Sequence, residues 1–183
     1  PGPRYRLLAS PDELAAWLSE LPPEAPLAVD TETDGLRTDR ARLVGVSLAF
    51  RPGDAVYVPV RERRGEAQGT LFAAEAEIDH LPWVRPLLAP VLADPGREKV
   101  GQNLKFDEWI LARHDLPLDG PRFDTMVAAY VLDPSRPGFG LDELARDCLG
   151  VEPVPYAALF ADNDRNRDIL AVPLARLGDY AAE

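Results

Sequence analysis

The sequence Leu27-Ala28-Val29-Asp30-Thr31-Glu32 has the pattern of a buried strand that ends in two acids. Side chains at positions i and i+2 of a strand leave on the same face, so Asp30 and Glu32 are expected to point the same way. Two like charges side by side at the end of a buried strand are unfavourable unless a cation lies between them. The residues alone leave two interpretations open, a metal site and a solvated strand end.

The composition is that of an ordinary folded domain. The chain has 183 residues, of which 46% are hydrophobic and 28% are charged, so it is long enough to bury a core. Its single cysteine, Cys148, cannot form an internal disulfide, and the sequence shows neither a signal pattern nor an apolar run of membrane-spanning length. We therefore expect a cytoplasmic protein that makes no membrane contact, with no obligate oligomer.

The net charge is −11, which is the wrong sign for a protein that holds nucleic acid by a broad basic surface. A nucleic-acid substrate would need positive charge close to the site to offset the repulsion. Bound divalent cations provide this charge because they reverse the field of the carboxylates that bind them.

The order of the expected elements defines an α/β fold. Strands are predicted at 27–32, 43–50, 55–58, 99–101 and 122–123, after a short strand at 4–8, and helices at 11–18, 81–92, 103–113, 124–132, 141–149 and 173–183. A three-strand meander extended by parallel strands through helical crossovers gives a five-stranded mixed sheet flanked by helices. Residues 61–78 are interpreted as a charged loop, with phosphate contact by Arg61, Arg63 and Arg64 as the alternative.

A third acid is expected to join the pair on the opening strand. Asp107 lies on the helix that follows the 99–101 strand, and Asn103 lies one turn earlier on the same face. Both are near the carboxyl end of that strand, where open α/β sheets place their sites. If the strand with Asp30 is its neighbour, the three carboxylates converge. Alone, Asp107 would be an ordinary acid on a helix surface.

Five motifs then appear in an order that resembles a known family. They are Val29-Asp30-Thr31-Glu32-Thr33, Lys99-Val100-Gly101-Gln102-Asn103-Leu104-Lys105-Phe106-Asp107, Phe123-Asp124-Thr125-Met126, Leu141-Asp142-Glu143-Leu144 and Tyr180-Ala181-Ala182-Glu183. Together they resemble the 3′–5′ proofreading exonuclease domain of bacterial DNA polymerase I, a member of the DEDD exonucleases. The resemblance covers nearly the whole chain and implies a ribonuclease H-like fold.

The resemblance implies a catalytic role for four residues. Asp30, Glu32 and Asp107 match the metal-binding acids of that family, and Tyr180 matches the tyrosine that orients the attacking water. Two Mg²⁺ or Mn²⁺ ions are expected, because two divalent ions roughly 3.5–4 Å apart can clamp the attacking and leaving oxygens of a phosphodiester. The sequence has no His or Cys cluster that would favour zinc.

The resemblance also implies substrate-binding residues. Leu36 and Asn103 fall where the family contacts the terminal nucleotide, with the leucine as a wedge against the base, and Thr31 and Gln102 adjoin these positions. Tyr156 falls near an aromatic residue that flanks that nucleotide. The alternative for Tyr156 is a loop aromatic that covers the core.

The expected function is therefore that of a two-metal-ion 3′–5′ exodeoxyribonuclease, a phosphodiester hydrolase. Its partners would be the 3′ end of single-stranded DNA and a polymerase domain in the same chain, in bacterial DNA replication and repair. Two alternatives stay open. One is a catalytically silent structural domain of a polymerase, and the other is a related exoribonuclease.

The chain departs from the family pattern at two places. The family has a fourth metal-binding aspartate, which would come immediately after Glu183. We therefore expect residues 1–183 to be a single exonuclease domain excised from a longer polymerase and cut just before that aspartate. Glu183 is no substitute, because it would project about a hundred degrees around the helix from the required position. The loop at 133–140 also has no clear match to the family's basic residue, for which Arg136 is the nearby candidate.

Overall fold

The computed structural model describes residues 4–64, 76–160 and 167–183, without the side chain of Arg64. The strands are β1 (Arg4–Leu7), β2 (Leu27–Thr33), β3 (Leu43–Arg51), β4 (Asp54–Pro59), β5 (Arg61–Arg64), β6 (Ala76–Asp79), β7 (Lys99–Gly101) and β8 (Arg122–Asp124). The helices are α1 (Pro11–Ser19), α2 (Leu81–Leu92), α3 (Leu104–Ala112), α4 (Thr125–Leu132), α5 (Leu141–Leu144) and α6 (Leu174–Ala181). Short 3₁₀ turns lie at Tyr156–Leu159 and Ile169–Ala171.

The main sheet has six strands in the order β1-β4-β3-β2-β7-β8. The central strands β2, β3 and β4 pair antiparallel, while β1, β7 and β8 are parallel to their neighbours. The mixed sheet flanked by helices is confirmed, but the expected count of five strands is wrong by one. The extra strand is β1, which pairs with β4 at the sheet edge and is held there by Arg6, whose guanidinium lies 3.0 Å from Asp54 Oδ1.

The expectation of a loop at 61–78 is also wrong where the structure describes it. Strands β5 and β6 form a separate antiparallel pair. Their arginines are bound to acids, with Arg61 3.3 Å from Glu77 and Arg63 2.6 Å from Asp168. Each of these two guanidinium groups is thus paired with an acid, and phosphate contact by the arginines stays a prediction. Residues 65–75 and the side chain of Arg64 lie outside the described part.

The hydrophobic core lies on both faces of the main sheet, because residues of each central strand alternate between them. Helices α1, α2 and α3 cover one face, where Val29, Trp17 and Leu88 are buried. Helix α6 and the 3₁₀ turn at Ile169–Ala171 cover the other face, where Tyr57 and Leu177 are buried. The sheet is thus the middle layer of a three-layer structure.

The predicted helix at 141–149 contains two kinds of turn. The α-helical turn Leu141–Leu144 continues as a π-helical segment, Ala145–Leu149. It ends at Gly150, whose φ of 67° lies in the left-handed region that favours glycine. Among the described helices, none combines the length and hydropathy needed to cross a membrane.

Candidate active site

Strand β2 presents Asp30 and Glu32 on the face of the sheet that α6 covers. The intervening Thr31 and the preceding Val29 are buried, and Val29 packs in the core on the opposite face. In the antiparallel ladder with β3, Asp30 lies opposite Ser47 and Glu32 lies opposite Gly45. The alternation along β2 therefore holds the two acids side by side, as the sequence predicts.

Asp107 is brought to β2 by α3 and is fixed there by hydrogen bonds. Its Oδ1 atom accepts from the backbone N–H of Thr31 at 3.0 Å and from the Thr31 hydroxyl at 2.7 Å. The residue is only 2% exposed. Because β7 pairs with β2 only at Leu27 and Ala28, the N–H of Thr31 lies beyond this parallel pairing and is available to α3.

The three carboxyl groups have raised pKa values. Burial is the largest cause in each case, and it raises the pKa to about 6 for Asp30, about 8 for Glu32 and about 7 for Asp107. The charge of Asp30 further raises the pKa of both other acids, and that of Asp107 raises the pKa of Glu32. Asp30 is exposed to solvent, Glu32 is partly exposed and Asp107 is buried.

The donor set fits a hard divalent cation. It consists of carboxylate oxygens, which Mg²⁺ and Mn²⁺ prefer, and a cation would relieve the mutual repulsion of the acids. Within 4–64, 76–160 and 167–183, however, no three His, Cys, Asp or Glu side chains are grouped as ligands of one ion. Asp30, Glu32 and Asp107 thus share one electrostatic environment without forming a closed ligand cluster.

Two tyrosines lie on the same side as the acids. Tyr180 is half-buried on α6, and its ring centroid is 6.2 Å from that of Tyr156 in the 3₁₀ turn. Burial raises the pKa of both phenols, and the charge of Glu32 is the next cause for each. The structure therefore brings Tyr180 and Tyr156 into the surroundings of Glu32.

The remaining residues predicted to contact substrate differ in the exposure and hydrogen bonding of their side chains. Leu36 is 91% exposed in the loop after β2, as a wedge would have to be. Asn103 precedes α3 with a φ of 57°, a left-handed conformation that asparagine tolerates. Gln102 is already occupied, because its amide donates to the Phe139 carbonyl at 2.6 Å and accepts from the Thr125 hydroxyl at 2.5 Å.

Other residues near the site already have hydrogen-bond or ion-pair partners. Both donors of Thr31 are used by Asp107, which gives Thr31 a holding role. Arg136 pairs with Asp147 at 2.5 Å. Glu183 accepts a hydrogen bond from the backbone of Val154 at 2.8 Å. Substrate contact by Thr31 and Arg136 stays a prediction.

Asp124 caps the N-termini of two helices, of which the sequence predicts one. Its two oxygens accept from the backbone N–H groups of Asn103 at 3.0 Å and Leu104 at 2.9 Å, and also from those of Met126 at 2.9 Å and Val127 at 3.2 Å. One carboxylate thus caps α3 and α4 together. The cap of α4 is readable from the sequence, but the cap of α3 depends on the pairing of β7 with β8.

A mixed sheet whose central strand β2 presents two acids, with a third acid on the helix α3 that follows the neighbouring strand β7, is typical of the class of ribonuclease H-like nucleases. The chain belongs to the 3′–5′ exonuclease family, whose sequence profile matches residues 5–183. The expected fold class and the expected 3′–5′ exonuclease domain of the DNA polymerase I type are confirmed.

Two curated relatives are bacterial polymerases. The chain is 32% identical to DNA polymerase I of Pseudomonas aeruginosa over 170 residues, which cover 92% of this chain and 18% of the relative. It is 34% identical to DNA polymerase I of Synechocystis sp. over 157 residues, which cover 85% of this chain and 15% of the relative. The chain therefore spans less than a fifth of the length of these relatives.

Solved structures have the same fold. A structure of Pol1 from M. smegmatis in complex with DNA primer-template and dNTP matches with a TM-score of 0.61 and 29% identity, covering 97% of this chain and 27% of that chain. Escherichia coli RNase D, an exoribonuclease, matches at 0.67 and 21%, covering 98% and 40%. Brucella melitensis NrnC with bound Mg²⁺ matches at 0.59 and 22%, covering 98% and 79%.

Proposed function

We propose that this chain removes nucleotides from the 3′ end of single-stranded DNA in a two-metal-ion reaction, as the proofreading module of a DNA polymerase. The observation that carries the proposal is the hydrogen bonding of Asp107 to Thr31 on β2, together with the electrostatic coupling of Asp107, Asp30 and Glu32. The relatives support the DNA substrate, because they are DNA polymerases. The fold neighbour with bound Mg²⁺ supports the cofactor.

The three acids would hold the cations, and Thr31 would fix the orientation of Asp107. When bound, the cations would lower the pKa of the attacking water and stabilise the departing 3′ oxygen. The water oxygen forms a bond to phosphorus while the bond from phosphorus to the 3′ oxygen breaks. The products are a nucleoside 5′-monophosphate and a strand shortened by one nucleotide.

Tyr180 is suited to orienting the water rather than to taking its proton. Burial and the charge of Glu32 hold the pKa of the Tyr180 phenol far above neutral pH. The hydroxyl therefore keeps its own proton, and it can donate or accept a hydrogen bond without acting as a base.

The terminal nucleotide would be held by contacts that do not read its sequence. Leu36 would press against the base, Tyr156 would flank the nucleotide, and Asn103, with Gln102 beside it, would contact it at the start of α3. Stacking and wedging tolerate every base, so sequence preference should be slight.

The proposal includes a polymerase domain in the same protein. We propose that the chain is one exonuclease domain beside a polymerase domain, acting in the bacterial cytoplasm with the chromosome. With a net charge of −11, the domain should bind single strands weakly by itself, and a basic neighbour would deliver the DNA. The fourth metal-binding aspartate is proposed to follow Glu183.

The test compares digestion of a labelled single strand by the wild type, Asp30→Ala and Asp107→Ala in Mg²⁺. It uses the 183-residue chain and the same chain with one aspartate added after Glu183. Either acid variant should abolish Mg²⁺-dependent digestion, while Glu24→Ala, which alters an exposed acid before β2, should leave the rate unchanged. Unchanged rates in the two acid variants would refute the assignment.

A matched RNA strand tests the substrate class. Faster digestion of RNA than of DNA would favour the exoribonuclease alternative. This alternative is considered because the exoribonuclease RNase D has the same fold. No digestion of either strand by the wild type, with or without the added aspartate, would favour the silent structural domain.

A further inference from the structure

Two buried hydroxyl groups on the sheet have no hydrogen-bond partner within the described ranges. Ser47 on β3 is 7% exposed and Tyr57 on β4 is fully buried, and neither Oγ of Ser47 nor Oη of Tyr57 makes a hydrogen bond there. Leaving a buried hydroxyl unpaired is costly, so native proteins rarely keep one without a reason. These two groups therefore require an explanation.

Both hydroxyl groups lie in the same row of the sheet as an acid. In the ladder, Ser47 is opposite Asp30 on one side and opposite Tyr57 on the other, so the three residues cross the sheet side by side. Directly opposite residues of an antiparallel pair point to the same face, with Cβ atoms about 4.5–5.5 Å apart. Ser47 therefore stands between Asp30 and Tyr57 on the face that α6 covers.

The Tyr57 ring extends from this row toward Glu32. It lies over Gly45, where a Cβ atom would overlap the Tyr57 hydroxyl, and Gly45 is the ladder partner of Glu32. Because Gly45 has no side chain, the Tyr57 phenol can occupy the space above it and reach the neighbourhood of Glu32. The other side of the ring is closed by α6, since a Cβ atom on Gly178 would be 3.6 Å from Tyr57 Cδ1.

The electrostatics agree with this placement. Burial, followed by the charge of Glu32, raises the pKa of Tyr57 far above neutral pH. The phenol keeps its proton and can serve as a donor. No other charge is resolved as a cause of that shift within the described residues.

We propose that Ser47 and Tyr57 are positioning residues whose hydroxyls donate hydrogen bonds to the carboxylates of Asp30 and Glu32 in the assembled site. They would hold the two acids in place against their mutual repulsion, from neighbouring positions on the same face of the sheet. This inference rests on the proposed exonuclease function, and it adds residues behind the acids that the family resemblance did not supply.

The test removes only the hydroxyl groups, with Tyr57→Phe, Ser47→Ala and the double variant. Matched controls are Tyr130→Phe on the exposed face of α4 and Ser19→Ala on α1. Digestion of single-stranded DNA gives kcat and KM, and electron paramagnetic resonance titration gives the Mn²⁺ affinity without DNA. Loss of a hydrogen bond to a charged group should lower kcat roughly 10-fold in each single variant, with KM nearly unchanged.

The Mn²⁺ affinity should also fall several-fold in the double variant, while both controls match the wild type. A purely structural role for the hydroxyls would instead change thermal stability and leave kcat and Mn²⁺ affinity alone. That result would overturn the inference.

Failure of the proposed exonuclease function and failure of the positioning role give different results. If the wild type does not digest DNA, the proposed function fails, and the Mn²⁺ titration still tests the positioning role. If the wild type digests DNA and Asp30→Ala does not, but the hydroxyl variants behave like the wild type, the positioning role alone is wrong.

Discussion

Thr31 donates two hydrogen bonds to a single oxygen of Asp107, from its backbone N–H at 3.0 Å and from its hydroxyl at 2.7 Å. The two residues are 76 positions apart, so these bonds tie β2 to α3. The same contact places the third acid beside Asp30 and Glu32. Thr31 lies between the two acids in sequence, and its side chain points to the opposite face of β2, where it holds Asp107.

Thr31→Val is expected to lower kcat roughly 10-fold, because it removes one hydrogen bond to a charged group and keeps the shape and the backbone donor. Thr31→Ser should restore most of the rate. The measurement is steady-state digestion of a single strand in Mg²⁺. Full activity of Thr31→Val would show that the backbone N–H is enough to hold Asp107.

Tyr180→Phe should slow hydrolysis roughly 10-fold, because the variant loses one hydrogen bond to the attacking water, while the Mn²⁺ affinity stays at the wild-type value. The reason is that the phenol keeps its proton and is proposed to contact the water rather than the metal ions. Rapid-quench kinetics and a Mn²⁺ titration measure the two properties separately. A loss of Mn²⁺ binding would contradict the water-orienting role.

Asp124→Ala should destabilise the protein more than an ordinary surface substitution. The variant loses the caps of α3 and α4, each worth about 1–2 kcal/mol. Urea unfolding followed by circular dichroism measures the change. Asp133→Ala is the matched control, since Asp133 is exposed and its carboxylate bonds to Ser135 in its own turn. Equal stabilities of the two variants would mean that water replaces the bonds of Asp124.

Much of the main sheet is predictable from the sequence because its signals are local. The apolar run before Asp30, the alternation in β3 and the proline at the start of α1 each predict the element that forms there. A short strand at 4–8 is also expected from the sequence, but its place as the sixth strand of the sheet is not predictable in this way. Strand β1 joins the sheet through Arg6 and Asp54, which are 48 positions apart.

The grouping of site residues is predictable where they belong to one sequence motif. It is less predictable where it depends on the pairing register of the strands. The grouping of Asp30 with Glu32 follows from strand alternation alone. The place of Tyr57 beneath Glu32 depends on two ladders and on the open space at Gly45, and no local pattern specifies that combination. Substrate contact by Gln102 stays a prediction, and the direction of its amide depends on the Phe139 carbonyl, which is 37 positions away in the sequence.

The stability of the metal-free chain should fall as the pH rises from about 4 to about 8. Folding raises the pKa of Asp30 from 3.8 to about 6, of Glu32 from 4.5 to about 8 and of Asp107 from 3.8 to about 7. In this window the folded state therefore binds more protons than the unfolded state, so the free energy of unfolding decreases with pH. The pKa of Asp54 is lowered by Arg51, and its opposite contribution is confined to lower pH.

Thermal unfolding in EDTA between pH 4 and pH 8 measures this decline, and saturating Mg²⁺ should oppose it at pH 8 because the ion binds only the folded state. Glu32→Gln removes the acid with the highest raised pKa, so its melting temperature should exceed that of the wild type at pH 8 and respond less to Mg²⁺. Glu24→Gln should behave like the wild type. A melting temperature that is independent of pH in EDTA would mean that folding does not raise the pKa values of the three acids.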